Sequence, residues 1–310
     1  MPLTYRHVDV FATDPFTGNS LAVFPEAPND LSDRQMLAIT QELRHFETIF
    51  LNETETEAEA VAGADTGAEA DAGSHGPAEI QARVFDLFEE LDFAGHPVLG
   101  AAAVLHERDG SPGPLRWRFR LPARTVTVAT RRTAAGYHAE LEQGEPQFLG
   151  TVPAPDRAEI AAALNLPADA LADLPLETVS TGLRYLIVPL VKGLADARIV
   201  RDDFADLVAR HGAQFAYLVD VEAREGRHWN NDGVLEDVAT GSAAGCVGAY
   251  LARHRVVPAD EEFVLRQGRF TGRPSLLTVL PQGDPDELRG VRVGGDVTMV
   301  ARGSLDAAPA

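Results

Sequence analysis

The stretch from Gly233 to His254, GVLEDVATGSAAGCVGAYLARH, contains the pattern that decides the predicted fold. An acidic pair, Glu236 and Asp237, precedes a turn of small residues, and an alanine- and glycine-rich run follows the turn. Small side chains let a helix pack closely against a sheet, and a glycine at the helix start lets a ligand approach the backbone. The stretch therefore predicts a turn and a buried helix that begins near Gly241.

A similar arrangement occurs earlier in the chain. A shift of 146 residues places AGHPVLGAAAVLHER (94–108) on TGSAAGCVGAYLARH (240–254), so that Gly95 falls on Gly241 and His96 on Ser242. The identity between the two segments is low, but each follows a strand-like segment and combines a Gly-polar turn with a helix of small residues. Strand-like segments outnumber helical ones throughout the chain, so the repeat predicts two similar α+β domains.

Local patterns predict the elements that precede the first of these turns. Ser32 and Gln35 have the spacing of a capping box, and apolar residues recur at helical spacing from Met36 to Leu43. The next segment, FETIFLN, has the β-branched and aromatic composition of a strand. Glu47 is therefore expected at a helix-to-strand junction.

Residues 52–78, NETETEAEAVAGADTGAEADAGSHGPA, consist mainly of alanine, acidic residues and glycine. A segment with so few large apolar side chains cannot contribute to a core. We interpret it as a disordered acidic insertion between two strands, with an acidic interaction segment as the alternative.

Composition excludes several classes of function. The chain has 47 acidic and 27 basic residues, a net charge of −20, which disfavours nucleic acid as a partner. A single cysteine, Cys246, permits no intramolecular disulfide and no C-x-x-C site, and we expect it to be a small buried residue in the second helix. No apolar run is long enough to span a membrane and no secretory signal is recognisable, so we expect a cytoplasmic protein without a membrane partner.

Familiar catalytic and nucleotide-binding motifs are absent from the sequence. There is no G-x-G-x-x-G after a strand, no phosphate-binding loop, no H-E-x-x-H and no G-x-S-x-G. No two histidines are paired at a metal-ligand spacing, so no metal site is predicted.

Six residues form the candidate site: Glu47, His96, Asp237, Gly95, Gly241 and Ser242. The first three can carry protons, and the apolar neighbours of Glu47 would desolvate it and raise its pKa towards that of a general acid or base. The helix starts at Gly95 and Gly241 expose backbone N–H groups that bind anions. Each residue also has a structural alternative: Glu47 as a surface acid, His96 as a helix-start residue, Asp237 as a turn or cap residue, Ser242 as a helix cap and the two glycines as turn residues.

Seven motifs together give a resemblance to a known family. They are DPFTGNSLAVF (14–24), HFETIFL (45–51), FAGHPVLG (93–100), VSTGLRYLIVP (179–189), EDVATGSAAG (236–245), QG (267–268) and GRPS (272–275). In order and spacing the chain resembles the PhzF-like family of phenazine-biosynthesis isomerases along nearly its whole length.

The resemblance implies a diaminopimelate epimerase-like α+β fold. Its two pseudo-symmetric domains each have a curved, mainly antiparallel sheet around a central helix, with a cleft between the domains. We place the N-terminal domain at residues 1–121, completed by 296–310, and the C-terminal domain at 122–295. A homodimer and cofactor-free catalysis are also implied.

The resemblance also implies roles for the six residues. Glu47 matches the glutamate that moves a proton between carbons of a dihydro-hydroxyanthranilate, while His96, Asp237 and Ser242 match the family's other polar site residues. The chain departs from the family pattern at Ser20, Phe46, Asp92 and Val238, which leaves the proton carriers in place but alters the residues around them.

The predicted function is therefore a cofactor-independent isomerase that shifts a proton on a small carboxylate substrate. Because the chain has one cysteine, a racemase that uses two thiols is excluded. The alternatives are an epimerase or isomerase of another small acid, and a non-catalytic anion-binding protein of the same fold.

Overall fold

The computed structural model describes residues 2–53 and 79–309, and the chain forms two compact units. Unit 1 comprises Met1–Val10, Ser20–Leu141 and Asp296–Ala310, and unit 2 comprises Phe11–Asn19 and Glu142–Gly295. The predicted boundary after residue 121 differs from this division because the strands that follow it continue the sheet of unit 1. Residues 296–310 group with unit 1, where we placed them.

Unit 1 is a ring of strands around one helix. Its strands are β1 (Leu3–Val10), β2 (Asn19–Phe24), β3 (Glu47–Glu53), β4 (Ile80–Phe85), β5 (Glu90–Leu91), β6 (Leu115–Arg120), β7 (Thr125–Thr133) and β8 (Gly136–Glu142), and its helices are α1 (Asp33–Leu43) and α2 (Gly95–Asp109). The order β1-β2-β3-β4-β6-β7-β8 continues into the last strand of the chain, which pairs back with β1. The strand ring thus closes and leaves few exposed edges.

Unit 2 contains a second set of strands and helices. They are β9 (Gln147–Thr151), α3 (Arg157–Ala163), β10 (Glu177–Ser180), β11 (Arg184–Leu190), α4 (Phe204–Ala209), β12 (Phe215–Asp220), β13 (Glu225–His228), α5 (Gly241–Arg253), β14 (Phe263–Gln267), β15 (Ser275–Asp284) and β16 (Glu287–Leu305). The sheet order is β9-β10-β11-β12-β13-β14-β15-β16, and β16 carries the chain on into unit 1.

The strand directions reveal the internal repeat more clearly than the sequence does. In unit 1 the pairs β2/β3 and β4/β6 are parallel, and in unit 2 the pairs β11/β12 and β13/β14 are parallel. A parallel pair needs a crossover, and a helix supplies it in each case: α1 and α2 in unit 1, α4 and α5 in unit 2. The other strand pairs whose direction is known are antiparallel, which confirms the mainly antiparallel α+β fold.

The two central helices are buried almost all round, as their composition predicts. Every residue of α2 from Gly95 to His106 is buried, and α5 is buried from Ala243 to Ala252. A Cβ on Gly100 would lie 2.5 Å from the side chain of Leu21, and one on Gly248 would lie 2.4 Å from that of Val279. Glycine at these two positions therefore sets how closely each helix approaches its own sheet.

Other helices cover the outer faces of the sheets. In unit 1, Met36 and Ile39 of α1 pack with Phe24 and Phe50, whose rings stack at 4.9 Å. In unit 2, α3 and α4 cover the sheet through a second apolar cluster that includes Ile160 and Phe204. Burial of each such side chain contributes about 1.5–3 kcal/mol, so these layers stabilise the strands that hold the candidate site.

The predicted capping box at the start of α1 is confirmed. The backbone N–H of Gln35 donates to Ser32 Oγ (3.4 Å), and the N–H of Ser32 donates to Gln35 Oε1 (3.0 Å). We expect Ser32→Ala to lower the free energy of unfolding by about 1 kcal/mol, because an N-terminal helix donor loses its acceptor. Urea denaturation followed by circular dichroism measures the change, and Ser304→Ala at an exposed strand position is the control; equal effects of the two would contradict the prediction.

The structure corrects one end of the predicted acidic insertion. Asn52 and Glu53 are not loop residues: they extend β3, where they pair with Gln81 and Ile80 of β4. The ladder hydrogen bonds of an antiparallel pair outweigh the weak strand propensity of these two residues. Residues 54–78, the remainder of the predicted insertion, lie outside the described residues.

No helix in the described part of the chain is both long and apolar enough to cross a membrane.

Cys246 has the buried position that its sequence context predicts. Its side chain is fully buried in α5, its Sγ lies 3.7 Å from Thr181 Oγ1, and burial raises the pKa of its thiol to about 11. We expect no reaction of the folded protein with 5,5′-dithiobis(2-nitrobenzoate) at pH 8, since only an accessible thiolate attacks the reagent. One thiol per chain should react once guanidinium chloride unfolds the protein, and rapid labelling of the native protein would show that α5 opens.

Candidate active site

Glu47 occupies the first position of β3, on the face of the sheet that meets α2. It pairs with Leu21 of β2 in parallel register, and its alternate neighbours Ile49 and Leu51 are fully buried. Glu47 itself is only 8% exposed, so it is not the surface acid of the structural alternative. Because side chains alternate between the two faces of a strand, the carboxylate of Glu47 lies on the same buried face as Ile49 and Leu51, where β3 begins.

His96 is the second residue of α2 and faces Glu47 within unit 1. Its Nδ1 lies 3.5 Å from Glu47 Oε2, and its side chain is 6% exposed. A carboxylate and an imidazole at this distance, both removed from bulk water, can exchange a proton after a small approach. This buried acid–imidazole pair is therefore a candidate for acid/base chemistry.

The start of α2 adds an electrostatic element to this pair. Ala94 is the N-cap residue, no side chain caps the helix, and the first turn contains no acidic residue. The first N–H groups of the helix, beginning at Gly95, therefore keep their partial positive charge. A negative charge that develops beside His96 would be stabilised by this helix end.

Ser20, one of the departures from the family pattern, contacts two histidines in unit 1. Its Oγ lies 2.7 Å from His45 Nδ1 and 3.0 Å from His7 Nε2. Because His45 comes two residues before Glu47, the first contact ties the connection between α1 and β3 to strand β2. Sequence reasoning did not anticipate this contact.

Asp237 lies in unit 2, just before α5, and its carboxylate accepts hydrogen bonds from protein donors. Thr240 Oγ1 donates to Oδ2 at 2.6 Å, while the Ala239 N–H and the Nδ2 of Asn19, which also belongs to unit 2, approach Oδ1 at 3.3 and 3.4 Å. These contacts fit the turn-residue alternative for Asp237. The same contacts also fix the orientation of the carboxylate, so the two roles are compatible.

Gln267 organises this segment and was not predicted as a site residue. Its Oε1 accepts from the Thr240 N–H (3.1 Å) and from Tyr217 OH (2.9 Å), and its Nε2 donates to Asp237 O (3.0 Å) and Thr240 Oγ1 (2.9 Å). The side chain is 1% exposed, and burial raises the pKa of Tyr217 well above its usual range, which keeps the phenol a donor. The only sequence signal for Gln267 was the QG motif of the family resemblance, which by itself indicated no role for the glutamine.

Gly268 completes the turn that presents Gln267. Its φ is +83°, and a Cβ there would lie 2.3 Å from Arg273 O and 2.6 Å from Val238 O. Both neighbouring atoms are backbone carbonyls, which cannot move aside cheaply. Glycine is therefore required for this path of the chain.

The start of α5 positions Ser242 and Gly241. The Gln143 Nε2 donates to Gly241 O at 2.8 Å, and Ser242 Oγ shares a hydrogen bond of 2.8 Å with Tyr185 OH. The N-cap residue is Thr240 and no side chain caps the helix, so the cap alternative for Ser242 is wrong. A serine at the second helical position is directed towards the β11 tyrosine instead.

His228 shows that a buried histidine in unit 2 has a structural role. Its Nδ1–H donates to Ala216 O at 3.0 Å, its carbonyl accepts from the Asp237 N–H at 2.9 Å, and burial lowers its pKa. The neutral imidazole thus supports the segment that carries Asp237. In the described residues, no three His, Cys, Asp or Glu side chains are grouped so as to hold a metal ion.

The structure therefore brings the six predicted residues together in two sets, one in each unit. Glu47, Gly95 and His96 form the set of unit 1, and Asp237, Gly241 and Ser242 form the set of unit 2. Asn19, Gln143, Tyr185 and Gln267 are the contacting residues that sequence reasoning missed.

Comparison with known proteins gives a consistent result over nearly the whole chain. The family model for phenazine biosynthesis-like proteins, PhzC-PhzF, matches residues 8–303. The trans-2,3-dihydro-3-hydroxyanthranilate isomerase of Pseudomonas aeruginosa is 30% identical over 313 residues, which cover 96% of this chain and 98% of the relative.

Solved structures give the same grouping. A protein from Pseudomonas aeruginosa described as a predicted epimerase is 43% identical, with a TM-score of 0.84 over 98% of this chain and 99% of the other. The phenazine biosynthesis protein of the PhzF family from Bacillus anthracis has a TM-score of 0.77 at 22% identity, over 99% of this chain and 100% of the other, and supports the fold alone.

Proposed function

Because this chain belongs to the PhzC-PhzF family of phenazine biosynthesis-like proteins, we propose that it is a cofactor-independent isomerase that moves a proton on a small carboxylate substrate. The protein is an enzyme of the isomerase class, as its full-length relatives are.

The buried pair Glu47–His96, with 3.5 Å between Oε2 and Nδ1, carries the proposal. Glu47 removes a proton from a carbon that is adjacent to an unsaturated system, and the electron pair of that C–H bond shifts into the conjugated system. A proton is then delivered to another carbon, by Glu47 or through His96. One C–H bond breaks and one forms, so the step needs neither an oxidant nor a reductant.

The remaining predicted residues are assigned to substrate binding and charge stabilisation. Asp237 orients the substrate and relays protons, while Ser242 and the backbone N–H groups near Gly95 and Gly241 bind a carboxylate or developing negative charge. This assignment is supported by the uncapped starts of α2 and α5, whose N–H groups favour anions. Preorganised donors of this kind usually contribute the largest share of catalysis.

The first substrate to test is trans-2,3-dihydro-3-hydroxyanthranilate, the compound in the name of the Pseudomonas aeruginosa relative. Proton NMR of the wild-type protein with this acid in deuterated water should show product formation and entry of deuterium at carbon. Absence of both would reject this substrate, and the same measurement with other unsaturated small acids would test the proton shift itself. A binding protein without activity would produce no exchange with any of them.

Epimerisation of a small acid is the second candidate, supported by the 43% identity to the protein described as a predicted epimerase. Both reactions begin with removal of a proton from carbon. The two reactions differ in where the proton is returned. In deuterated water an epimerase places deuterium on the original carbon with inverted configuration, whereas an isomerase places it on a different carbon. The position of the label in the same NMR spectrum therefore separates them.

We also propose that the enzyme is a homodimer in the cytoplasm. The dimer is carried over from the family resemblance, and the location rests on the single cysteine, which suits a reducing compartment. Light scattering coupled to size-exclusion chromatography would give twice the chain mass of 33.3 kDa for the dimer and the chain mass itself for a monomer.

A further inference from the structure

Arg124 lies in the turn between β6 and β7, next to the segment that leads into α2. The Leu121 N–H donates to Arg124 O at 3.0 Å and closes the turn, and the Ala123 N–H donates to Asp92 O at 3.3 Å. The second bond ties the turn to a segment that reaches the helix start at Gly95 three residues later. Arg124 is therefore held beside the approach to α2, within unit 1.

Its guanidinium lies on the ring of Phe93. The distance from Cζ to the ring centroid is 3.8 Å, shorter than that of any other arginine–aromatic pair in the described residues. A guanidinium above an aromatic face is held by cation–π attraction and loses less side-chain freedom when it later binds a ligand. Phe93 thus preorganises the cation three residues before His96.

The donors of this guanidinium have no acceptor among the described residues. Its Nε is buried without a hydrogen-bond partner, and the carboxylate of the neighbouring Asp92 is exposed and forms no ion pair with it. Burial alone lowers the pKa of Arg124, with no opposing contribution from a nearby carboxylate. A half-buried cation without an anionic partner in the described chain can accept an anion from solution.

Other partly buried arginines of the chain show what the usual arrangement is. Arg6 donates twice to Glu107, Arg83 twice to Glu90 and Arg227 twice to Glu236. The sequence has 47 acidic residues to 27 basic ones, so carboxylate partners are plentiful. The lack of one at Arg124, among the described residues, distinguishes this position from those three.

We propose that Arg124, supported by Phe93, is a specificity-determining residue that binds the carboxylate of the enzyme's substrate through two parallel N–H···O hydrogen bonds. The inference rests on the proposed function, which makes the substrate a small carboxylate. It assigns that group a side-chain partner in unit 1, in addition to the backbone groups at the helix start. Paired donors of a guanidinium match the two oxygens of a carboxylate in geometry and charge.

The test compares a carboxylate with its neutral isostere. Titration calorimetry with anthranilate and 2-aminobenzamide measures the preference of each protein for the charged group. Arg124→Gln should weaken anthranilate binding by about tenfold to a hundredfold and leave the amide unaffected, and Arg124→Lys should lose part of the preference. The control is Arg132→Gln, because Arg132 lies over Tyr137 but donates to Ser111 O and Gly110 O.

A second measurement does not depend on the choice of aromatic ligand. Phenylglyoxal labels accessible arginines, and peptide mapping by mass spectrometry with and without benzoate reports protection at each site. Protection of Arg124 but not of Arg132 is expected. Unchanged anthranilate binding by Arg124→Gln would overturn the proposal, as would a lack of both anthranilate binding and benzoate protection in the wild type.

These outcomes are separable from those of the proposed function. If Arg124→Gln loses anthranilate binding while the wild type exchanges no C–H proton of any acid tested, the carboxylate site stands and the isomerase proposal fails. If the wild type isomerises a carboxylate and Arg124→Gln does so with the same KM, the isomerase proposal stands and the role of Arg124 fails.

Discussion

Replacement of Glu47 by glutamine should lower the rate of deuterium exchange and isomerisation by at least about a hundredfold, because general acid–base catalysis contributes about 10² to 10⁴. The variant keeps the size of the side chain and one acceptor oxygen, but its amide cannot accept a proton from carbon. Since Glu47 is buried at the start of β3 and contacts His96 at 3.5 Å, the amide fits the same space. Proton NMR in deuterated water measures both rates.

The chain offers a matched control for this variant. Glu177 is also a buried glutamate paired with a histidine, with 2.7 Å between its Oε2 and His254 Nε2, but it belongs to none of the predicted site residues. Glu177→Gln should lower stability and leave kcat unchanged. Equal losses of activity in the two variants would mean that any buried Glu–His pair matters only for folding, and near wild-type activity of Glu47→Gln would remove Glu47 as the base.

The elements of the fold that the sequence predicted are those with a strong local signal. The capping box at Ser32 and Gln35, the small-residue helices from Gly95 and Gly241, and the strand at Glu47 each depend on neighbours within a few positions. Such local patterns survive in a single sequence because the side-chain period of each element repeats several times.

The domain boundary depends on which strands pair with each other, and neighbouring residues do not reveal this. The predicted division after residue 121 placed β7 with the second domain, but residues Thr125 to Thr130 of β7 pair with Leu115 to Arg120 of β6. Residues 11–19 likewise group with unit 2 although the strands on either side belong mainly to unit 1. Strand partnership is a long-range property, and alternation within one strand does not specify which neighbour it joins.

The sequence suggested the ionisable residues of the candidate site but not the residues that hold them in place. Glu47, His96 and Asp237 were identified because each can carry a proton and has small or apolar neighbours in the sequence. Gln267 and Tyr185 were not identified, because the sequence does not distinguish a glutamine or a tyrosine within a strand from an ordinary core or surface residue. Their importance arises from contacts with residues far along the chain, such as the Gln267–Thr240 pair.

The Gln267 network leads to the second large expected effect. Gln267→Leu should lower the free energy of unfolding by at least about 3 kcal/mol, because it leaves the Thr240 N–H, Tyr217 OH and Asp237 carbonyl without their partner. Leucine has a similar volume, so loss of packing does not account for the effect. Urea denaturation followed by circular dichroism measures it.

Gln81→Leu is the control, because Gln81 is an exposed glutamine on β4 and the same exchange there should change stability by no more than about 0.5 kcal/mol. Activity provides the second half of the prediction. Since Gln267 fixes Thr240, whose hydroxyl donates to Asp237 Oδ2 at 2.6 Å, the folded Gln267→Leu protein should also lose turnover at temperatures where it remains native. A variant that is destabilised but fully active when folded would show that the network supports the fold without positioning Asp237 for catalysis.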